Sequence, residues 1–124
     1  MLRAVDRWAT VVSKDLPPKT GRRWYANLRE ALPNLDAAGG TYAENYGRAI
    51  SFFLHAGHVL EKPEYSETAR EIAKDAIEHL HHPASGLFLG HAAKGTYEAT
   101  DGVGYLLYAL LELSAYPEVW EPNF

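Results

Sequence analysis

The chain contains one stretch that is apolar on a single face and two that are apolar on nearly every side. Over residues 66–81, apolar side chains recur at spacings of three and four, and charged side chains fill the opposite face. This periodicity predicts an amphipathic, half-exposed helix. The stretches 42–60 and 101–114 are apolar almost all round. That pattern is typical of buried helices.

Two further helices are predicted before residue 39. The stretch 2–16 follows a helical period and stops at a pair of prolines, and 20–32 carries a second apolar face that stops at a single proline. We therefore expect an all-α fold of two to three antiparallel helical hairpins within one domain. The N-terminal helices would occupy 1–38, and two hairpin repeats would occupy 39–124.

A short β-ribbon is the one expected departure from helical structure. Leu87–Leu89 is too short for a helix and follows the turn-forming residues Pro83–Gly86. The segment Gly95–Glu98 is the expected partner strand. The ribbon would then lie within residues 87–98.

Composition and charge narrow the class of partner. The chain has 124 residues, and its 12 basic and 16 acidic side chains give a net charge of −4. Without a basic stripe, a nucleic-acid partner is not expected. No apolar run approaches the ~18 residues of a membrane helix, and the charged N-terminal residues do not suit a signal peptide. We expect no membrane association, and a cytoplasmic location if the chain is complete.

A short motif occurs twice and suggests an internal repeat. Thr41-Tyr42-x4-Gly47 recurs as Thr96-Tyr97-x4-Gly102, a shift of 55 residues, and both following helices end near a Pro-Glu break. A period of this size matches one helical hairpin plus a loop. The alternative is two unrelated helices that happen to begin and end with similar residues, since short sequence matches are weak evidence for a repeat. If the helices are equivalent, they run parallel with their N-termini at one end.

The order of elements resembles a known family. An apolar helix, a Pro-Glu break, an amphipathic helix and the run Pro-Ala-Ser-Gly-Leu-Phe follow one another within residues 41–114. This resembles the hairpin unit of α/α-toroid proteins: six-hairpin glycosidases, N-acylglucosamine 2-epimerase-like enzymes and several polysaccharide lyases. The resemblance implies inner helices wrapped by outer amphipathic ones. It also implies a saccharide cleft lined by the loops that enter the inner helices, here 39–46 and 86–101.

The length of the chain departs from that family. A closed toroid has twelve helices, which need about 190 residues or more at ordinary helix and loop lengths. Five predicted helices cannot close such a ring. The chain is then a C-terminal fragment of a larger protein, a partial toroid, or a protomer that completes its core by association.

Two carboxylates are the candidate catalytic pair. Glu98 and Asp101 stand three residues apart where the helix over 101–114 begins. Glycosidases use paired carboxylates, and a helix N-terminus stabilises their charge. The alternative is capping, in which Thr100 or Asp101 closes the helix end. Gly102 and Gly104 lower helix propensity in the first turns, which indicates close backbone approach to a neighbouring helix or to a ligand.

Five further residues are candidates for substrate binding. Glu44, Tyr46 and Arg48 lie at the equivalent end of the earlier apolar helix. Arg48 either pairs with Glu44 at a spacing of four or binds the carboxylate of an acidic sugar. His91 lies in the loop expected to rim the cleft, where it can hydrogen-bond a hydroxyl or donate a proton. Tyr97 either positions a sugar ring or belongs to the core.

No metal or cofactor is expected. The chain lacks cysteine, which excludes disulfides, Cys-ligated zinc and thiol catalysis. The histidines at 79, 81 and 82 do not have the spacing of four that places two ligands on one helical face.

Two classes of function remain. The first is a glycoside hydrolase, lyase or sugar epimerase of the α/α-toroid type, or a part of one, that binds a saccharide. The second is a non-catalytic helical-hairpin module for self-association or protein binding, because the apolar helices over 42–60 and 101–114 need cover. The expected macromolecular partner is a second copy of the chain or the remainder of a larger toroid.

Overall fold

The computed structural model describes residues 1–15, 42–91 and 102–116. Four helices, α1 to α4, and two short strands, β1 and β2, confirm the prediction of an all-α fold with a short ribbon. The helix predicted over 20–32 and the strand predicted over 95–98 lie outside the described residues. In chain order the elements are α1 (Leu2–Val12), a 3-10 turn (Ser13–Asp15), α2 (Ala43–Val59), α3 (Pro63–Leu80), β1 (His81–His82), β2 (Leu87–Phe88) and α4 (Val103–Ser114).

Helix α2 and helix α3 form an antiparallel hairpin. Residue numbers fall along α2 as they rise along α3, because Gly57 lies against Ser66 and Tyr46 is hydrogen-bonded to Asp75. Helix α3 begins at Pro63, three residues earlier than the periodicity predicts. Proline is suited to the first helical position because its missing N–H would have no helical partner there.

Helices α2 and α4 run parallel. Residue numbers rise together along the two helices at four contacts: Glu44 with Gly102, Gly47 with Tyr105, Ser51 with Glu112, and His58 with Tyr116. The N-terminal ends of the two helices therefore lie side by side, in the orientation that the internal repeat predicts.

Two glycines bring the backbones of α2 and α4 into direct contact. A Cβ atom on Gly47 would lie 2.5 Å from the backbone nitrogen of Leu106, closer than real side chains allow. A Cβ on Gly102 would lie 2.8 Å from Cα of Glu44, and Gly102 has a φ of +78°, which favours glycine. The predicted close approach at Gly102 is thus to a neighbouring helix. At Gly104 an added Cβ meets open space in the described part of the chain, so no neighbouring helix approaches it there.

Helix α4 is buried on one face, whereas its sequence predicts burial all round. Packing on α2 covers one side of the helix, and the residues on its other side remain exposed. The covered residues are Leu106, Ala109, Leu110 and Leu113, and the large exposed ones are Tyr105, Leu107, Tyr108 and Leu111. The core consequently centres on α2 and its contacts with α3 and α4. Its largest fully buried apolar residues are Phe53, Ile50, Leu54, Ile72, Leu80, Leu106 and Leu113.

The ribbon pairs two strands across a tight turn. His81 pairs with Phe88 and His82 pairs with Leu87, in antiparallel register. The predicted partner, Gly95–Glu98, lies outside the described residues, so its pairing stays a prediction. The residues 83–86 are enough to reverse the chain, and Gly86 takes a φ of +72° in that turn. No helix among the described residues is long and apolar enough to span a membrane.

A polar cluster fixes α1 to the start of α3. The Asp6 carboxylate accepts hydrogen bonds from Lys62 Nζ at 2.7 Å and from the Tyr65 hydroxyl at 2.6 Å. Thr10 Oγ1 lies 3.2 Å from the same tyrosine hydroxyl. The bond from Lys62, followed by that from Tyr65, lowers the pKa of Asp6, and the bond to Asp6 raises the pKa of Lys62. Helix α1 is thereby positioned beside α2, with Ala9 buried.

We expect Gly47→Ala to destabilise the protein by about 1–3 kcal/mol, as overpacking does in a well-packed core. The added methyl group would push against the backbone of α4, which cannot shift without moving the whole helix. Urea denaturation followed by circular dichroism measures the change. Gly104→Ala is the matched control and should leave stability unchanged or raise it by up to about 1 kcal/mol. Equal losses in both variants would contradict the contact at Gly47.

Acid should loosen the attachment of α1. A carboxyl group whose pKa is lowered by folding stabilises the fold above its unfolded pKa. This contribution is lost as the pH falls below the ordinary value of 3.8 and through the folded pKa. Asp6→Asn should therefore lower the melting temperature at pH 7 and flatten its decline toward pH 3. Glu78→Gln, an exposed carboxylate on α3, serves as the control. An unchanged slope in Asp6→Asn would show that this cluster does not govern the acid response.

Candidate functional site

The adjacent N-terminal ends of α2 and α4 carry an exposed ion pair. Arg48 lies 2.8 Å from Oε1 of Glu44, one helical turn earlier. The guanidinium also lies 4.6 Å from the centre of the Tyr105 ring, across the junction between the helices. This geometry combines the pairing that the spacing predicts with a cation–π contact. The end of the helix pair thus presents two charged groups and one aromatic ring.

A groove of about 750 Å³ extends from this end along the two helices. It lies on the face of α2 turned away from α3, because its α2 residues are out of helical phase with those that contact α3. The groove is mainly apolar, with Arg48 at its N-terminal end and a polar cluster farther along. The lining residues are Val5, Gly47, Arg48, Ser51, Phe52, His55, Ala56, Val59, Tyr105, Tyr108 and Glu112.

The polar cluster in the groove is built around the Glu112 carboxylate. Ser51 Oγ donates to Oε1 at 3.2 Å, and His55 Nε2 lies 2.7 Å from Oε2. Ser51 and His55 are one turn apart on α2, whereas Glu112 comes from α4. Because the carboxylate lies between the serine and the histidine, the geometry is that of a bridge between helices and differs from a nucleophile–base pair. It offers hydrogen-bonding groups to the groove.

Tyr46 faces away from the groove and is buried between α2 and α3. Its hydroxyl donates to Oδ2 of Asp75 at 2.5 Å. The prediction that Tyr46 faces a cleft with Glu44 is therefore wrong. The reason is helical geometry, since Tyr46 is in phase with Ile50, Phe53 and Gly57 on the face that packs against α3.

His91 is fully buried, whereas its position in a loop predicts a place on the rim of the cleft. Its ring packs edge-on against Tyr42 with centroids 4.4 Å apart, and the same two residues form an isolated β-bridge. Next to this bridge, the Ala43 N–H donates to the Gly90 carbonyl at 2.8 Å. The described position of His91 therefore ties the segment after the ribbon to the start of α2.

The structure thus brings Glu44 and Arg48 together at an exposed position, whereas Tyr46 and His91 are buried. Glu98, Asp101 and Tyr97 lie outside the described residues, so the proposed carboxylate pair stays a prediction. Among the described residues, no group of three or more His, Asp or Glu side chains is arranged to hold a metal ion.

Sequence reasoning missed the part of the site that α4 supplies. The sequence pattern predicts a buried helix over 101–114, yet three of its residues line the groove: Tyr105, Tyr108 and Glu112. One signal was available: Glu112 is the single charged residue in α4, and a lone carboxylate in an apolar helix requires a partner. Ser51 and His55, at a spacing of four on α2, are that partner pair.

Comparison with known proteins assigns the chain to no family. No family model matches the sequence, and no curated protein or solved structure matches it either. Its function must therefore be inferred from its own residues.

Tyr46→Phe should lower the free energy of unfolding by about 1–2 kcal/mol, because it removes a hydrogen bond between a buried hydroxyl and a carboxylate. Chemical denaturation measures the loss. Tyr105→Phe, which alters an exposed hydroxyl on the groove side, should cost less than about 0.5 kcal/mol. A neutral Tyr46→Phe would show that the bond to Asp75 contributes nothing to the packing of α2 on α3.

Proposed function

We propose that the chain is part of a carbohydrate-active α/α-toroid protein and binds a saccharide at the N-terminal ends of α2 and α4. The observation that carries the proposal is the parallel orientation of these two apolar helices, with the antiparallel helix α3 behind α2. Inner helices that run parallel, each returned by an outer helix, are what the resemblance to toroid proteins implies.

The groups at this end have the chemistry to hold a sugar. The exposed Tyr105 ring offers a face to the apolar side of a sugar ring. The planar Arg48 guanidinium carries several N–H donors, suited to hydroxyl groups or to the carboxylate of a uronic acid. Glu44 accepts hydrogen bonds from hydroxyl groups. The adjoining groove provides a volume typical of small-molecule sites.

Catalysis, in this proposal, belongs to Glu98 and Asp101. A general acid and a base or nucleophile on the segment that leads into α4 would stand next to the saccharide. Hydrolysis and β-elimination both need such a pair to move protons at the glycosidic linkage or beside it. Tyr97 would position the sugar from the same segment.

Titration of the ¹⁵N-labelled chain with neutral and uronate-containing oligosaccharides tests the binding site. Shift changes are expected around Arg48 and Tyr105, and Arg48→Ala should weaken binding at least tenfold, equivalent to about 1.4 kcal/mol. Arg70→Ala is a matched control, because Arg70 also pairs with a glutamate on its own helix, Glu67, but lies on α3. Binding to none of the oligosaccharides, or equal weakening by both variants, would refute the proposal.

The same oligosaccharides test the catalytic assignment. Turnover of any bound substrate should fall at least a hundredfold in Glu98→Gln and in Asp101→Asn, the usual minimum for loss of general acid–base catalysis, with little change in affinity. Unchanged turnover would remove both residues from the chemistry and leave a binding function.

A further inference from the structure

The groove beside α1, α2 and α4 is larger than one sugar unit. A hexuronic acid has about 13 non-hydrogen atoms, which fill about half of the 750 Å³ even at the ~30 Å³ that a water molecule occupies in the liquid. The groove follows α2 from Arg48 to Val59, a rise of about 16 Å at the helical repeat. A saccharide held at Arg48 therefore leaves the farther part of the groove unfilled.

The two sides of the groove differ in polarity. Ser51 and His55 lie on the side of α4, because both are within hydrogen-bond distance of Glu112. The residues that follow them on α2 are rotated by about 100° around the helix axis, away from α4. This second side, which α1 extends, is lined by apolar residues alone. They are Val5, Phe52, Ala56 and Val59.

The side formed by α4 offers aromatic rings and a carboxylate whose oxygens already have partners. Tyr105 is 52% exposed and Tyr108 is 72% exposed, so both rings are accessible to a ligand. An aromatic group between these rings and the apolar side would lose contact with water on both of its faces. Covering Glu112 costs less than covering a bare carboxylate, because Ser51 and His55 each lie beside one of its oxygens.

We propose that this site takes an acidic glycoside with an aromatic aglycone, its sugar at Arg48 and its aglycone along the groove toward Val59. This inference rests on the proposed saccharide site and specifies the group that is linked to the sugar. The charges fit this orientation, because Arg48 attracts a uronate at one end, whereas the Glu112 carboxylate disfavours a second acidic sugar farther along. A naphthyl glucuronide, with about 23 non-hydrogen atoms, comes close to filling the groove on the same scale.

Isothermal titration calorimetry of the whole chain with methyl glucuronide and with 2-naphthyl glucuronide tests the aglycone. The naphthyl glycoside should bind at least tenfold more tightly, because its rings leave water for the groove. Equal affinities would overturn this inference and leave saccharide binding intact. Binding of neither glycoside would refute the saccharide site itself and the inference with it. 2-Naphthol that binds as tightly as its glucuronide would show a site indifferent to the sugar, which would also overturn the inference.

NMR spectroscopy locates the aglycone through the ring currents of its aromatic rings. The naphthyl glycoside should shift the methyl signals of Val5 and Val59, and methyl glucuronide should leave both in place. If these signals change with protein concentration alone, a second copy of the chain occupies the groove and the inference is overturned.

Val59→Asn should reduce the ratio of naphthyl to methyl glycoside affinity at least threefold, because it places an amide in the apolar side of the groove. Val11→Asn is the matched control and should leave the ratio unchanged. Both valines are 57% exposed near the C-terminal end of a helix, but Val11 lies outside the groove lining. Equal reductions in both variants would contradict the placement of the aglycone.

Discussion

The backbone contact between Gly47 of α2 and the Tyr105–Leu106 peptide of α4 is the constraint on which the other features depend. Without a side chain at position 47, the two helices approach until backbone meets backbone. That approach places Glu44 against Gly102 and Arg48 over the Tyr105 ring. Charged and aromatic groups therefore meet at one end of the helix pair as a consequence of helix packing, because all of them are carried by α2 and α4.

The groove results from the same packing. Because α3 covers the back of α2 and α4 covers one flank, a third face of α2 stays open beside α1. The Asp6 cluster holds α1 in place, so Val5 forms part of the groove wall. The Ser51–Glu112–His55 bridge joins the two helices farther along, beyond the close backbone contacts at Gly47 and Gly102. Helix α2 is therefore joined to α4 by backbone contacts at one end and by polar side-chain contacts farther along.

Two exposed surfaces of the helix pair differ in chemistry. The junction at Glu44 and Arg48 presents charge, hydrogen-bonding capacity and one aromatic ring, which suits a hydroxyl-rich ligand. The exposed face of α4, which includes Leu107, Tyr108 and Leu111, presents uncharged side chains that are mainly apolar. Both surfaces are exposed to solvent because α2 covers only one face of α4.

Sequence alone determined what depends on local periodicity. The amphipathic α3, the all-α class and the Glu44–Arg48 pair follow from spacings of three and four along one chain, because helix geometry brings those positions together wherever the helix lies. Tertiary structure decided the rest. Periodicity shows which face is apolar without showing which neighbour covers it, so the burial of Tyr46 and His91 and the exposure of Leu107 and Leu111 were not predictable. The pairing of β2 with His81–His82 depended likewise on where α3 ends.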